Sequence, residues 1–195
     1  MIVFHGSNTP VVTPDLLHSR EDIDFGKGFY LTEDEVMASK WAANKTVAYV
    51  NKYKMDLSEL KVIELKLDKN WLDFVATNRG YADYDFNIDE YDVIIGPTAD
   101  DKLFSTLESY FTGNITAETA IKYLDVAGYS SQIVLKTNKA LDKLLYINSQ
   151  ELTATDKEYF KKLAKSDRIA ALSRLKELTI KAQVKKKVSL KEYER

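Results

Sequence analysis

The chain has 195 residues, 45% hydrophobic and 30% charged, which supports one globular domain with room for an appendage. With no cysteine and two widely separated histidines, it has no disulfide framework and no thiolate site, and no metal is expected. The first apolar residues follow no basic leader and no long hydrophobic run occurs, so neither a signal peptide nor a membrane span is expected, and a cytoplasmic location is the default.

In chain order, residues 1–4 predict a strand running into His5-Gly6-Ser7. Residues 10–24 hold two prolines and little periodicity, which predicts a loop across a sheet face. Thr32 is the expected N-cap of a helix from about Glu33 to about Lys52, with Val36, Met37, Trp41 and Ala48 at helical spacing. Alternation over 61–67 predicts a strand, 71–78 a short helix, and 91–95 an apolar strand ending at Gly96-Pro97. Residues 99–112 and 116–127 read as helices, the second closed by Gly128, and 131–137 as another strand. Strands mixed with helices rather than alternating with them argue for an α+β fold.

From Thr155 onward the pattern is helical, with Phe160, Leu163, Ala164, Ile169, Leu172, Leu175, Leu178 and Ala182 as an apolar stripe among lysines. Residues 157–195 hold 13 Lys/Arg and 5 Asp/Glu, a net of +8, against −10 for the rest. Such a split suggests a tail that folds onto its own acidic body or meets a partner. Phe160, Leu163 and Leu172 are the expected anchors. The expected organisation is a domain over 1–150 and a basic amphipathic tail over 151–195.

The segments that carry chemistry are His5-Gly6-Ser7 and Phe25-Gly26-Lys27-Gly28-Phe29-Tyr30-Leu31-Thr32. They resemble the first two motifs of the ADP-ribosyltransferase superfamily, in its histidine–tyrosine branch, which includes diphtheria-toxin-like and poly-ADP-ribose-polymerase-like enzymes. Trp41 lies eleven residues after Tyr30, where those enzymes carry a second aromatic. Small, uncharacterised bacterial members share the run Asp24 to Thr32 and the later Gly96-Pro97-Thr98-Ala99-Asp100-Asp101. The resemblance covers most of residues 1–146.

It implies a split, twisted β-sheet with flanking helices, and NAD as co-substrate without a metal. His5 would donate a hydrogen bond to the 2′-hydroxyl of the nicotinamide ribose, and Gly6 would hold the carboxamide through its backbone N–H and C=O. Ser7 either adds a hydroxyl contact or closes the turn. Tyr30 and Trp41 would stack on the two faces of the nicotinamide, although a Trp on an amphipathic helix reads equally as core. Gly26 and Gly28 sit in a loop approaching the ligand, and Arg20 is the candidate for the pyrophosphate, or a solvated surface arginine.

Two positions depart from the superfamily pattern. Ala38 stands where the polymerases carry a carboxamide-bonding serine, and Gln132, or Ser131 if the alignment slips by one, stands where active members carry a glutamate. A glutamine amide can still accept a bond from the ribose hydroxyl, with weaker electrostatic help to a cationic transition state. Asp100 and Asp101 read as a base for the acceptor, as a tie to a loop arginine, or as a helix N-cap, with the cap favoured. The reading that follows is an NAD-dependent mono-ADP-ribosyltransferase using His5, Tyr30 and Gln132. Its acceptor is a protein or nucleic acid, and it is of the toxin or phage-conflict kind, with an antitoxin as neutralising partner. The alternatives are a catalytically weak NAD- or ADP-ribose-binding module, or an interaction scaffold.

Overall fold

The structure, a computed structural model, describes residues 1–19, 23–84, 86, 90–99 and 104–193. The fold is α+β, as expected, and is built on two sheets. In the first, β1 (Ile2–Ser7), β3 (Tyr49–Met55) and β7 (Leu144–Glu151) run antiparallel in the order β1-β3-β7. The second has the order β2-β6-β5-β4, from β2 (Phe29–Leu31), β4 (Val62–Glu64), β5 (Val93–Pro97) and β6 (Ser131–Leu135). Only β4 and β5 are parallel. The sheets meet at one rung, where Phe4 and Thr32 exchange both backbone hydrogen bonds at 2.7 and 3.0 Å.

The two-residue period of the strands sorts side chains into three cores. Val3, Phe29, Leu31, Tyr53, Ile133 and Leu135 pack in one cluster, which draws on both sheets. Phe4 and Val50 pack in another with Ala38 and Ala42 of helix α1 (Glu35–Ala43). Ile94 and Val134 belong to the third, beneath α2 (Lys69–Asn78), α4 (Ala117–Ala127) and part of the C-terminal helix. Fully buried Trp71 and Phe74 anchor it, and burying each side chain stabilises the fold by about 2–3 kcal/mol. Helices α3 (Phe104–Phe111) and α5 (Asn138–Leu141) complete the body.

Three expectations are corrected. Helix α1 ends at Ala43 with Asn44 as C-cap, and the segment expected to continue it is strand β3. Pairing of Tyr49–Met55 with both β1 and β7 overrides the weak helical spacing. The N-cap is Asp34, whose carboxylate accepts from Val36 N and Met37 N at 2.8 and 3.2 Å. Thr32 is instead held in the rung to Phe4, and its hydroxyl donates to Ser131 O at 3.1 Å. Strand β7 was not expected at all.

The tail is one helix, α6 (Ala154–Tyr193), about 60 Å long at 1.5 Å per residue. It docks on the body. Phe160 packs against the cluster under α1, Ala171 and Leu175 belong to the cluster around Trp71, and Lys40 of α1 pairs with Asp167 at 2.6 Å. Leu163 is half-buried, whereas Leu172, an expected anchor, is 47% exposed. The helical period turns Ala171 rather than Leu172 to the body. Among the described residues no helix is long and apolar enough to cross a membrane.

Candidate functional site at the split between the sheets

Beyond the Phe4–Thr32 rung the ladder between β1 and β2 stops. Phe4 directs both backbone groups at β2, and strand alternation turns those of Gly6, two residues on, to the same side. The residue that would face Gly6 in a continued ladder is Tyr30, but its carbonyl is taken by the His5 side chain, with Nδ1 to O at 2.7 Å. Among the described residues the Gly6 N–H and C=O therefore have no ladder partner on that side, and they stand side by side as a donor–acceptor pair.

A carbonyl only accepts, so His5 Nδ1 carries the proton. Burial pushes the imidazole below its ordinary value of 6.5, opposed by the bond to Tyr30 and assisted by Lys45. The ring is thus held neutral, with Nε2 as an acceptor. In this state Nε2 can only accept, whereas the bond expected for His5 was a donated one. The imidazole lies against Phe29, with centroids 4.4 Å apart.

Gly6 has a second role that the sequence did not suggest. A Cβ there would lie 2.2 Å from Ala38 O and 2.9 Å from Ala42 N, so the missing side chain lets α1 pack directly on β1. Trp41 starts beside it, its Cβ 3.1 Å from the same point, and is half-buried. Ser7 is buried in structural bonds, donating to Thr9 O and accepting from Asn51 Nδ2 at 2.8 Å. Asn51, fully buried, also bonds His5 O and receives Val11 N and Ser149 Oγ, which fixes β1 at the split.

The 23–28 loop crosses the face of β2 and β6 opposite the intersheet cluster. Tyr30 packs there, its hydroxyl donating to Gly26 O at 2.7 Å and accepting from Phe25 N at 3.1 Å. Lys136 Nζ donates to Phe25 O and Lys27 O. Gly26 has φ +64°, and a Cβ on Gly28 would meet Val134 Cγ1 at 2.4 Å, so both glycines are required by the loop itself. Asp24, at the head of the loop, forms a buried ion pair with Arg79, which caps α2. Gln132 of β6 is 3% exposed and donates to Asp24 and to Pro97 O.

The Tyr30 and Gln132 side chains are thus both bonded to the 23–28 loop, whereas the His5 ring lies against Phe29 on the other face, and the three side chains do not converge on one open cavity. A cavity of about 170 Å³ lies nearby, lined by Thr32, Glu33, Asp34, Ser130, Ser131 and Ile133. Ser131 faces it, and Gln132 turns the other way. Asp24, Arg79 and Asn51 were missed as site residues. Asp24 lay inside the matched run, but only the fold brings α2 and β6 to it. Arg20, Asp100 and Asp101 lie outside the described residues. No three His, Asp or Glu side chains converge as a metal site among the described residues.

The chain matches a family model described as "Protein of unknown function (DUF3990)" over residues 1–146, and it belongs to that family. The match covers both sides of the split and ends inside β7, before α6. No curated protein and no solved structure matches the chain.

Proposed function

We propose that the protein is an NAD-dependent mono-ADP-ribosyltransferase acting at the split between β1 and β2. The observation that carries the reading is the open Gly6 N–H and C=O pair beside a neutral, acceptor-only His5 Nε2. A primary carboxamide matches the pair end for end, its oxygen accepting from the N–H and its NH2 donating to the C=O. A ribose hydroxyl matches the imidazole. The resemblance of His5-Gly6-Ser7 and the Gly26–Tyr30 run to the superfamily's motifs supports the same ligand.

In this reading the C1′–N bond of the nicotinamide riboside breaks and nicotinamide leaves with the bonding pair, which cancels its ring charge. The ribose becomes cationic, His5 accepts from one of its hydroxyls and Gln132 from another, and the acceptor attacks C1′ and loses its proton to solvent. Holding donor and leaving group in one geometry is the main contribution of such a site. The acceptor is a protein or nucleic acid, and a neutralising partner of the antitoxin kind fits the superfamily's small bacterial members.

A second reading, an NAD- or ADP-ribose-binding module, is favoured by one observation: the neutral amide of Gln132 at the place of a carboxylate. Incubation with NAD labelled in the adenylate, alone and with a cell lysate, separates the two. Nicotinamide release with label fixed on protease- or nuclease-sensitive product supports the transferase, and binding without release supports the module.

A further inference from the structure

The proposed reaction asks Gln132 to accept a bond, which an amide does only when its oxygen faces the ligand. The two ends of the amide have the same shape, so neighbours decide its orientation. Here Nε2 lies 3.2 Å from Asp24 Oδ2 and 3.3 Å from Pro97 O. Both neighbours are acceptors, and only the NH2 end can meet them. Oε1 is turned the opposite way and has no donor among the described residues. Among the described residues no fully buried side-chain oxygen or nitrogen goes unpaired, so Oε1 keeps some accessible surface although Gln132 as a whole is 3% exposed.

We propose that Asp24 is the positioning residue that presents Gln132 Oε1 to the ribose, a role that rests on the transferase reading. Asp24 is itself fixed from all sides. Its Oδ1 accepts from Arg79 Nε at 3.1 Å and Nη2 at 2.5 Å, its Oδ2 accepts from Ala99 N at 2.7 Å, and its carbonyl accepts from Asn78 Nδ2 at 3.2 Å. Side-chain exposures of 10% and 11% for Arg79 and Asp24 mark the pair as buried. Burial pushes the Asp24 carboxyl up, and Arg79, the Ala99 N–H and Gln132 pull it back. All its partners are donors, which suits the ionised form.

The same contact accounts for the departure at 132. A glutamate there would bring two carboxylates within hydrogen-bond distance, and one would have to hold a proton. With a carboxylate already supplied by the loop, the strand position has to be a donor toward Asp24 and an acceptor toward the ligand. Glutamine is both.

The test uses the full chain, labelled with 15N, and nicotinamide release from NAD. The Gln132 side-chain NH2 signal, identified by its loss in Gln132→Met, should exchange slowly with water in the wild type. Asp24→Asn should shift that signal, lower kcat at least tenfold and leave KM within twofold. In a Gln132→Met background the same change should lower kcat no further, because Asp24 acts through Gln132. Fast exchange in the wild type, additive losses, or a rise in turnover on Asp24→Asn would each overturn the proposal, the last by making the loop a plug. Asp24→Asn leaves Arg79 poorly compensated, and should it fail to fold, exchange in the wild type decides. A wild type that turns over with a freely exchanging amide removes the positioning role alone. A slowly exchanging amide with no nicotinamide release removes the transferase reading and this role together.

Discussion

Gly6 serves two neighbours at once, a helix behind it and an open gap in front. Gly6→Ala sets a Cβ against two backbone atoms of α1 that cannot rotate away, so we expect a loss of about 3 kcal/mol, read as a lower melting temperature. The gap itself is tested through the ligand. Nicotinic acid adenine dinucleotide replaces the carboxamide NH2 with a carboxylate oxygen, which meets the Gly6 C=O as acceptor against acceptor. We expect kcat/KM at least a hundredfold below that for NAD, since a site built to bond a donor leaves its own group unpaired when the donor is gone. For His5 the folded state disfavours the proton, so the unfolded chain binds more protons just below pH 6.5. Stability is then lost as pH falls from 6.5 toward the lowered folded value, and denaturant melts of His5→Gln should lack that slope. An equal slope in both proteins would mean that the imidazole is not buried neutral.

At the scale of elements, the 23–28 loop is held by side chains from α2 and β6 rather than by its own sequence. Lys136→Met removes two charge-assisted bonds to loop carbonyls and should cost about 2 kcal/mol. Amide exchange at Phe25 and Gly28 should rise at least tenfold, ahead of exchange in β5 and β6. Elements with a strong local signal were legible in the sequence: α2, α4 closed by Gly128 at φ +80°, and β6 with its apolar run. Strand β3 was absorbed into the preceding helix because Asn51 and Lys52 break its hydrophobic alternation. Asn51 is nonetheless fully buried, since its amide satisfies four groups brought from β1, β7 and the loop after β1. Strand β7 was invisible because Leu145 and Ile147 are exposed, and its pairing with β3 is a long-range choice. Of the site, the His-Gly and Gly-rich segments were legible from residue type and spacing. Asp24 with Arg79 was not, because a buried ion pair 55 residues apart leaves no local pattern.

Across the whole molecule, α6 closes two of the three cores, with Phe160 on one and Ala171 and Leu175 on another. Removal of residues 154–193 should expose both, so we expect aggregation or a fall of at least 10 °C in melting temperature. Truncation after Ile180 leaves the described contacts in place and should shift the melt by less than a third as much. Equal behaviour of the two truncations would show that the docked half contributes nothing. The bonds that tie the 23–28 loop to β6 also set a clock. They join residues 108 to 111 apart, so a chain growing at roughly 5–20 residues per second carries its His-Gly segment for on the order of ten seconds before Gln132 and Lys136 exist. A prematurely terminated product would keep every residue of both recognisable motifs and still lack the partners that lock the loop over Tyr30. Synthesis as far as Lys136, rather than the presence of the motifs, is what fixes the loop.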